Sequence, residues 1–220
     1  MNTGFNRVMW NLDYPSAVTF PNMILWGATT NGPMALPGTY QVKLTVDGVS
    51  QTQPITIVKH PLRDTSDAAL QEQFNLAMQI RDKVSEANQA VVEIRRIKDA
   101  VADRLKKSNK RELKLVGDRL VTALSAVEQD IYQVKNQSGQ DPLNFPIKTN
   151  NRLASLLGMT ERGEGPPTKN IYPIFEDLKK ELQGETDRLN AVYGNELKAF
   201  NIEVTNAGLQ PVQAGGGGSR

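Results

Sequence analysis

The chain has 220 residues, and its 26 basic and 24 acidic side chains leave a formal charge of +2, too close to zero to imply nucleic acid as a partner. It has no cysteine and one histidine, which excludes disulfides, thiolate nucleophiles, cysteine zinc sites and histidine-rich metal sites. There is no run of about 18 apolar residues, so no membrane span is expected, and the opening MNTGFNRVMWNLDYP lacks the basic-then-apolar pattern of a signal peptide.

The first 62 residues read as a small β module. Asn6 to Trp10 reads as a short strand, and Val18 to Trp26 as a β-prone run broken by Pro21. Pro37-Gly38 signals a turn before a strand over Thr39 to Val46, where Tyr40, Val42, Leu44 and Val46 share one face. Asp47-Gly48 is a strong two-residue hairpin turn, because both positions must reach positive φ. The return strand runs from about Val49 to Val58, and Pro54 within it predicts an edge strand or a bulge. About four strands result, whereas an immunoglobulin-like sandwich needs about seven. Either the remaining strands lie upstream of Met1 in a longer protein, or the sheet packs on the helices. The start inside a strand-like segment favours the first.

From Ser66 the period changes to that of helices, and residues 63–212 read as a helical bundle. Ser66 caps a long helix over about 66–107, with an apolar stripe from Leu70 and Phe74 to Val101 and Leu105. A second helix over about 110–136 carries Leu113, Leu120, Leu124, Ile131 and Val134. A short helix over about 149–157 is expected to stop at Gly158. Thr168 is expected to cap the last long helix, about 168–206, with Gly208 as its terminator. Gly184 and Gly194 within it point to a close helix contact or a bend. The expected fold is α+β: a small, partial immunoglobulin-like antiparallel β-sandwich followed by an elongated antiparallel three-helix bundle, with residues 213–220 as a flexible tail.

No constellation of residues declares a reaction. His60, beside Pro61 in the link between modules, is read as a surface or packing residue rather than a member of a catalytic triad. Asp13, Glu161 and Glu164 are the acids nearest aromatic or glycine-rich loops, and nothing in their spacing brings two of them to the working distance of a glycosidase pair. GEGPP is neither a dinucleotide fingerprint nor a phosphate loop. Trp10, Tyr14 and Trp26 are the ligand-binding candidates, because exposed aromatic faces stack on sugars or anchor a partner. The basic zone from Arg95 to Lys114 is interleaved with Asp99, Asp103 and Glu112 and reads as a solvated helix corner. No metal or cofactor is called for.

Four segments taken in order resemble one family. GFNRVMWNLDYPSAVTFPNMILWG is followed by GPMALPGTYQVKLTVDG with TQPITIVKHP, then by QFNLAMQIRDKVSEANQAVVEIR, and finally by NRLASLLGMTERGEGPPT. Together they resemble the C-terminal region of bacterial sortilin-like (VPS10-type) BNR-repeat proteins, often labelled glycosyl hydrolases. The resemblance implies a large exported protein, periplasmic or extracellular, with an N-terminal β-propeller and a C-terminal immunoglobulin-like module and helical bundle. The Asp-box repeats of that propeller are absent here, so no catalytic residue is carried over. The expectation is a non-catalytic accessory module that contacts the upstream propeller or another protein. The alternatives are a glycan-binding or hydrolytic function and a homo-oligomer built through the long helices.

Overall fold

The computed structural model describes residues 4–215. It is a mixed α+β protein with a two-stranded antiparallel sheet and four helices, the last of them interrupted by a wider turn. Strands β1 (Gly38–Val46) and β2 (Val49–Ile57) form a hairpin in which Val46 pairs with Val49 and Gly38 with Ile57. Asp47 (φ 49°) and Gly48 (φ 82°) supply the expected left-handed turn pair. The two other β-prone runs form no strand, and Val18 to Trp26 is broken by a turn at Pro21-Asn22, where Asn22 has φ 58° and the Met23 N–H donates to the Phe20 carbonyl. Among the described residues, only an isolated bridge between Asp13 and Met34 joins the upstream segment into β structure.

Helix α1 (Asp67–Lys106) is 40 residues long, about 60 Å at 1.5 Å per residue. Ser66 caps it, accepting a hydrogen bond from the Ala69 amide. Helix α2 (Arg111–Ile131) ends five residues before its expected limit. Tyr132 turns extended there, and its ring packs edge-on against Phe20 at 5.0 Å. Val134, expected on the helical stripe, therefore lies beyond the helix and is exposed. Helix α3 (Thr149–Thr160) runs through Gly158 instead of stopping there, and Glu161 follows as its C-cap. Helix α4 (Ile171–Val192) starts three residues after Thr168. Asn170 holds the cap position without a side-chain bond, and Thr168 donates its hydroxyl to Asn170 instead. A π-helical turn (Tyr193–Leu197) joins α4 to α5 (Lys198–Asn206), and Gly208 at φ 73° follows the helix end as expected. A Cβ on Gly184 or Gly194 would meet nothing within 4 Å, so neither glycine marks a close helix contact. Gly194 lies within the π-helical turn.

The helices pack around one apolar core. α3 lies along the first half of α1, joined by Asn150 to Asn88 and by Gln73 to Thr160. α2 lies along the second half, where buried Glu128 accepts from Arg95 (2.7 Å) and Lys98 (3.0 Å). α4 and α5 close the other side of α2, with Arg188 on Asp130 and Phe200 against Gly117. Residues 209–215 then return along α1. Val212 is buried, and its backbone bonds twice to Asn201. Arg104 and Arg96 donate to the carbonyls of Gln210 and Gln213. The rest of the predicted tail, residues 216–220, lies outside the described residues.

The segment 12–35, assigned from sequence to the β module, packs into this helical core. It doubles back on itself through Tyr14 N–H to Pro33 (2.8 Å), Ala17 N–H to Thr30 (2.7 Å) and Ala35 N–H to Leu12 (2.7 Å). Gly32 permits this, since a Cβ there would lie 2.1 Å from the Tyr14 carbonyl oxygen. The tip of this strap lies on the helices, with Ala17 and Phe20 in the common core. Apart from the Met23 N–H, which donates to the Phe20 carbonyl, its backbone bonds to the helices go to side chains. Val18 takes Ser85 and Asn88, Ile24 takes Tyr132, and Trp26 takes Asn151 at both its N–H and its carbonyl.

Candidate functional site

Two features of the surface are unlike the rest. The first is the hairpin. Residues opposite one another across a sheet share a face. Tyr40, Val42, Leu44 and Val46 therefore stand beside Ile55, Gln53, Gln51 and Val49. The reverse face carries Thr39, Gln41, Lys43, Thr45, Ser50, Thr52 and Thr56. The first face is mainly apolar, and beyond the foot, where Trp10 meets Tyr40, it stays open among the described residues, with Val42 and Leu44 each 50% exposed. The preceding residues Phe5, Val8 and Met9 are exposed as well. A lone two-stranded hairpin is marginal in water, because it buries too little to offset the ordering of its backbone.

What holds the hairpin to the body is a run of aromatic rings at its foot. Trp10 packs edge-on against Tyr40 at 6.1 Å, and Tyr40 is bonded to Tyr14. Tyr14 packs edge-on against Phe74 of α1 at 5.0 Å. Tyr40 also donates its hydroxyl to Leu36 at 2.8 Å, and burial with the neighbouring Tyr14 raises its pKa. The structure thus brings together two of the three aromatic candidates, Trp10 and Tyr14. Trp26 stands apart, held by Asn151 at the other end of α3. Trp10 is 46% exposed and Trp26 38%, so each offers a partial ring face, but the candidates do not form one row. Tyr40 completed the run, and it could have been suspected only from its place at the start of an amphipathic strand.

The second feature is a cleft of about 560 Å³ at the same foot. Four segments wall it: the strap at 12–13 and 29–37, the link at 57–63, the first turns of α1 and the loop after α3. Leu36, Ile57, Leu70 and Phe74 supply apolar wall, and Asp13 and Glu161 both reach it. The Glu161 carboxylate accepts from the Met34 N–H, yet burial, reinforced by the nearby Asp13 charge, pushes its pKa up to about 7. Gln73 fixes the loop beneath by donating to the carbonyls of Thr160 (2.9 Å) and Gly163 (3.0 Å). His60 is an exposed lining residue whose ring nitrogen Nδ1 accepts from the Leu62 amide. The sequence offered no spacing to bring two of the loop acids Asp13, Glu161 and Glu164 to the working distance of a glycosidase pair; in the structure all three line this cleft. Asp13 and Glu161 come to one cleft, with Glu164 on its rim, because the strap folds back over the end of α3. No spacing in the chain could signal this, since the acids lie on segments far apart in sequence.

Much of the basic zone between Arg95 and Lys114 is held in ion pairs, with Arg96 on Glu93, Lys107 on Asp103 and Lys114 on Asp118 among them, and Lys110 donates to the Asn206 carbonyl. Among the described residues, no group of three or more metal-ligating side chains is arranged to hold an ion, and no helix is long and apolar enough to cross a membrane. No protein family, curated protein or solved structure matches this chain.

Proposed function

We propose that the chain is a non-catalytic accessory and interaction module, the C-terminal part of a larger exported protein built on a β-propeller. The observation that supports this reading is the hairpin. The helices bury their apolar stripes against one another, whereas β1 and β2 leave most of an apolar face exposed beyond the Trp10–Tyr40 contact, and Phe5, Val8 and Met9 are exposed as well. Exposed apolar surface of this kind marks an interaction site. In this reading the hairpin contributes two strands to an immunoglobulin-like sandwich completed by the partner. The long helices form the elongated antiparallel three-helix bundle that carries it.

The register adds a direction to the contact. Hydrogen-bonded and non-bonded pairs alternate from the two-residue turn, so Pro54 falls in a non-bonded pair with Gln41. Its missing N–H belongs to the outer edge of β2, which is therefore a poor edge for a further strand. The outer edge of β1, at Thr39, Gln41, Lys43 and Thr45, keeps all its donors and is the edge the partner extends.

Hydrogen exchange tests this, comparing the chain alone with the chain mixed with the polypeptide encoded immediately upstream of it. The expected result is fast exchange of the outward amides of β1 in the chain alone, with slowing of more than tenfold on mixing and no change in the helices. Unchanged exchange in the hairpin on mixing would overturn the reading.

A further inference from the structure

The cleft at the foot of the hairpin has a charge imbalance that its own residues leave unmet. Each cation on its rim already has an acid: Lys59 pairs with Asp67 (3.5 Å) and Arg63 with Glu164 (3.6 Å). Lys59 also donates to the Thr65 carbonyl, and Thr65 donates to the Glu164 carbonyl, tying the link to the loop after α3. Asp13 and Glu161 form no ion pair with any described lysine, arginine or histidine, and the one hydrogen bond on the Glu161 carboxylate comes from a backbone amide. Around them stands apolar wall from Leu36, Ile57, Leu70 and Phe74. A volume of about 560 Å³ lies within the range of small-molecule sites, which are mainly apolar with a few convergent polar groups.

We infer that this cleft binds an alkylammonium group, the cation seated between Asp13 and Glu161 and its hydrocarbon stem along Leu36, Ile57, Leu70 and Phe74. An ammonium on a methylene chain matches both halves of the cleft, because such side chains bury the stem and direct the charge to acceptors. A neutral ligand offers the Asp13 and Glu161 carboxylates no opposite charge, and an anion adds a like charge beside them. The same chemistry comes from a free amine or from a lysine side chain of a partner protein.

The site is expected to respond to pH. The charged and titratable groups around Glu161 are Asp13 of the strap, Lys59, His60 and Arg63 of the link, and Glu164 of its own loop. With the Glu161 proton held to about pH 7, an ammonium ion must displace it at pH 6 and meets a carboxylate at pH 8. An alkylammonium stays charged across this range. Affinity therefore rises about tenfold from pH 6 to pH 8.

The experiment is a titration of the full chain with n-pentylamine and with Nα-acetyl-lysine methylamide, following the Met34 and Leu36 amide resonances. n-Pentanol and glucose serve as neutral controls. Saturable shifts with either amine, stronger at pH 8, are expected, and Glu161→Gln should remove the pH dependence while Asp13→Asn weakens binding about tenfold. Response to both amines identifies a general ammonium site, and response to the capped lysine alone identifies a partner's side chain as the source. Pentanol binding as tightly as pentylamine, glucose binding in place of the amines, or no saturable shift with either amine would overturn the inference. The pH comparison on the unaltered chain stands even where a variant fails to fold.

Discussion

Asn88 does for the strap what a neighbouring strand does in a sheet. It is fully buried on α1, donates to the Val18 carbonyl at 2.7 Å, and accepts from Asn150 of α3 at 3.0 Å. Removing it leaves a strap carbonyl and a buried amide without partners, and unpaired buried polar groups cost about 1–3 kcal/mol each. Asn88→Ala is therefore expected to lower stability by about 2–3 kcal/mol in urea unfolding. Ser85→Ala, which removes a longer and more exposed contact, should cost under about 1 kcal/mol. Glu161 gives a second prediction. Its native pKa of about 7 lies above its ordinary 4.5, so the native state holds the proton more tightly than the unfolded chain. That contribution is fully present below about pH 4.5 and is lost as the pH rises through 7. Stability of the unaltered chain should fall over that window, and Glu161→Gln should remove this part of the slope. A slope that persists unchanged in the variant would assign the titration to another group.

Among the elements, α3 and α4 show that a glycine is not in itself a stop. Gly158 looked like a helix terminator because glycine is common just past a helix end. The core contacts of Leu156 and Leu157, with Thr160 donating back to the Leu156 carbonyl, carry α3 past it. A Cβ at Gly158 or Gly184 would meet nothing within 4 Å, and neither glycine has positive φ. Gly158→Ala and Gly184→Ala should each stabilise the protein by about 0.5–1 kcal/mol through helix propensity, read as a rise in Tm. β1 and β2 show the opposite case. Alternation and Asp47-Gly48 were enough to specify the hairpin and its register, because both act between chain neighbours.

For the whole molecule, the question is what covers the hairpin in a solution of this chain alone. Nine residues at about 3.4 Å and two strands at about 4.8 Å give a face of roughly 300 Å². A stable interface buries about 800 Å² on each partner, so two copies meeting through this face alone fall well short. The expected result in light scattering is a concentration-independent monomer at micromolar protein. A dimer would point to the second-copy reading through the long helices. Those helices leave little for it, since Leu113, Leu120, Leu124, Ile131, Leu178 and Leu182 are all buried within one chain.

Local signals decided what was legible in the sequence. Periodicity and caps act over a few residues, and so the change from sheet to helix near residue 61, the Ser66 cap, the Asp47-Gly48 turn and the apolar stripe of α1 could all be read directly. The end of α2 could not, because it depends on Tyr132 meeting Phe20 from a distant segment. Val18 to Trp26 looked like a strand because it is apolar and rich in β-prone residues. Whether an extended segment pairs with another strand depends on what lies beside it, and here buried asparagines on helices took its backbone bonds. The cleft was the least legible feature. Burial raised the Glu161 pKa and the strap brought Asp13 beside it, and both effects exist only after residues distant in sequence have packed together.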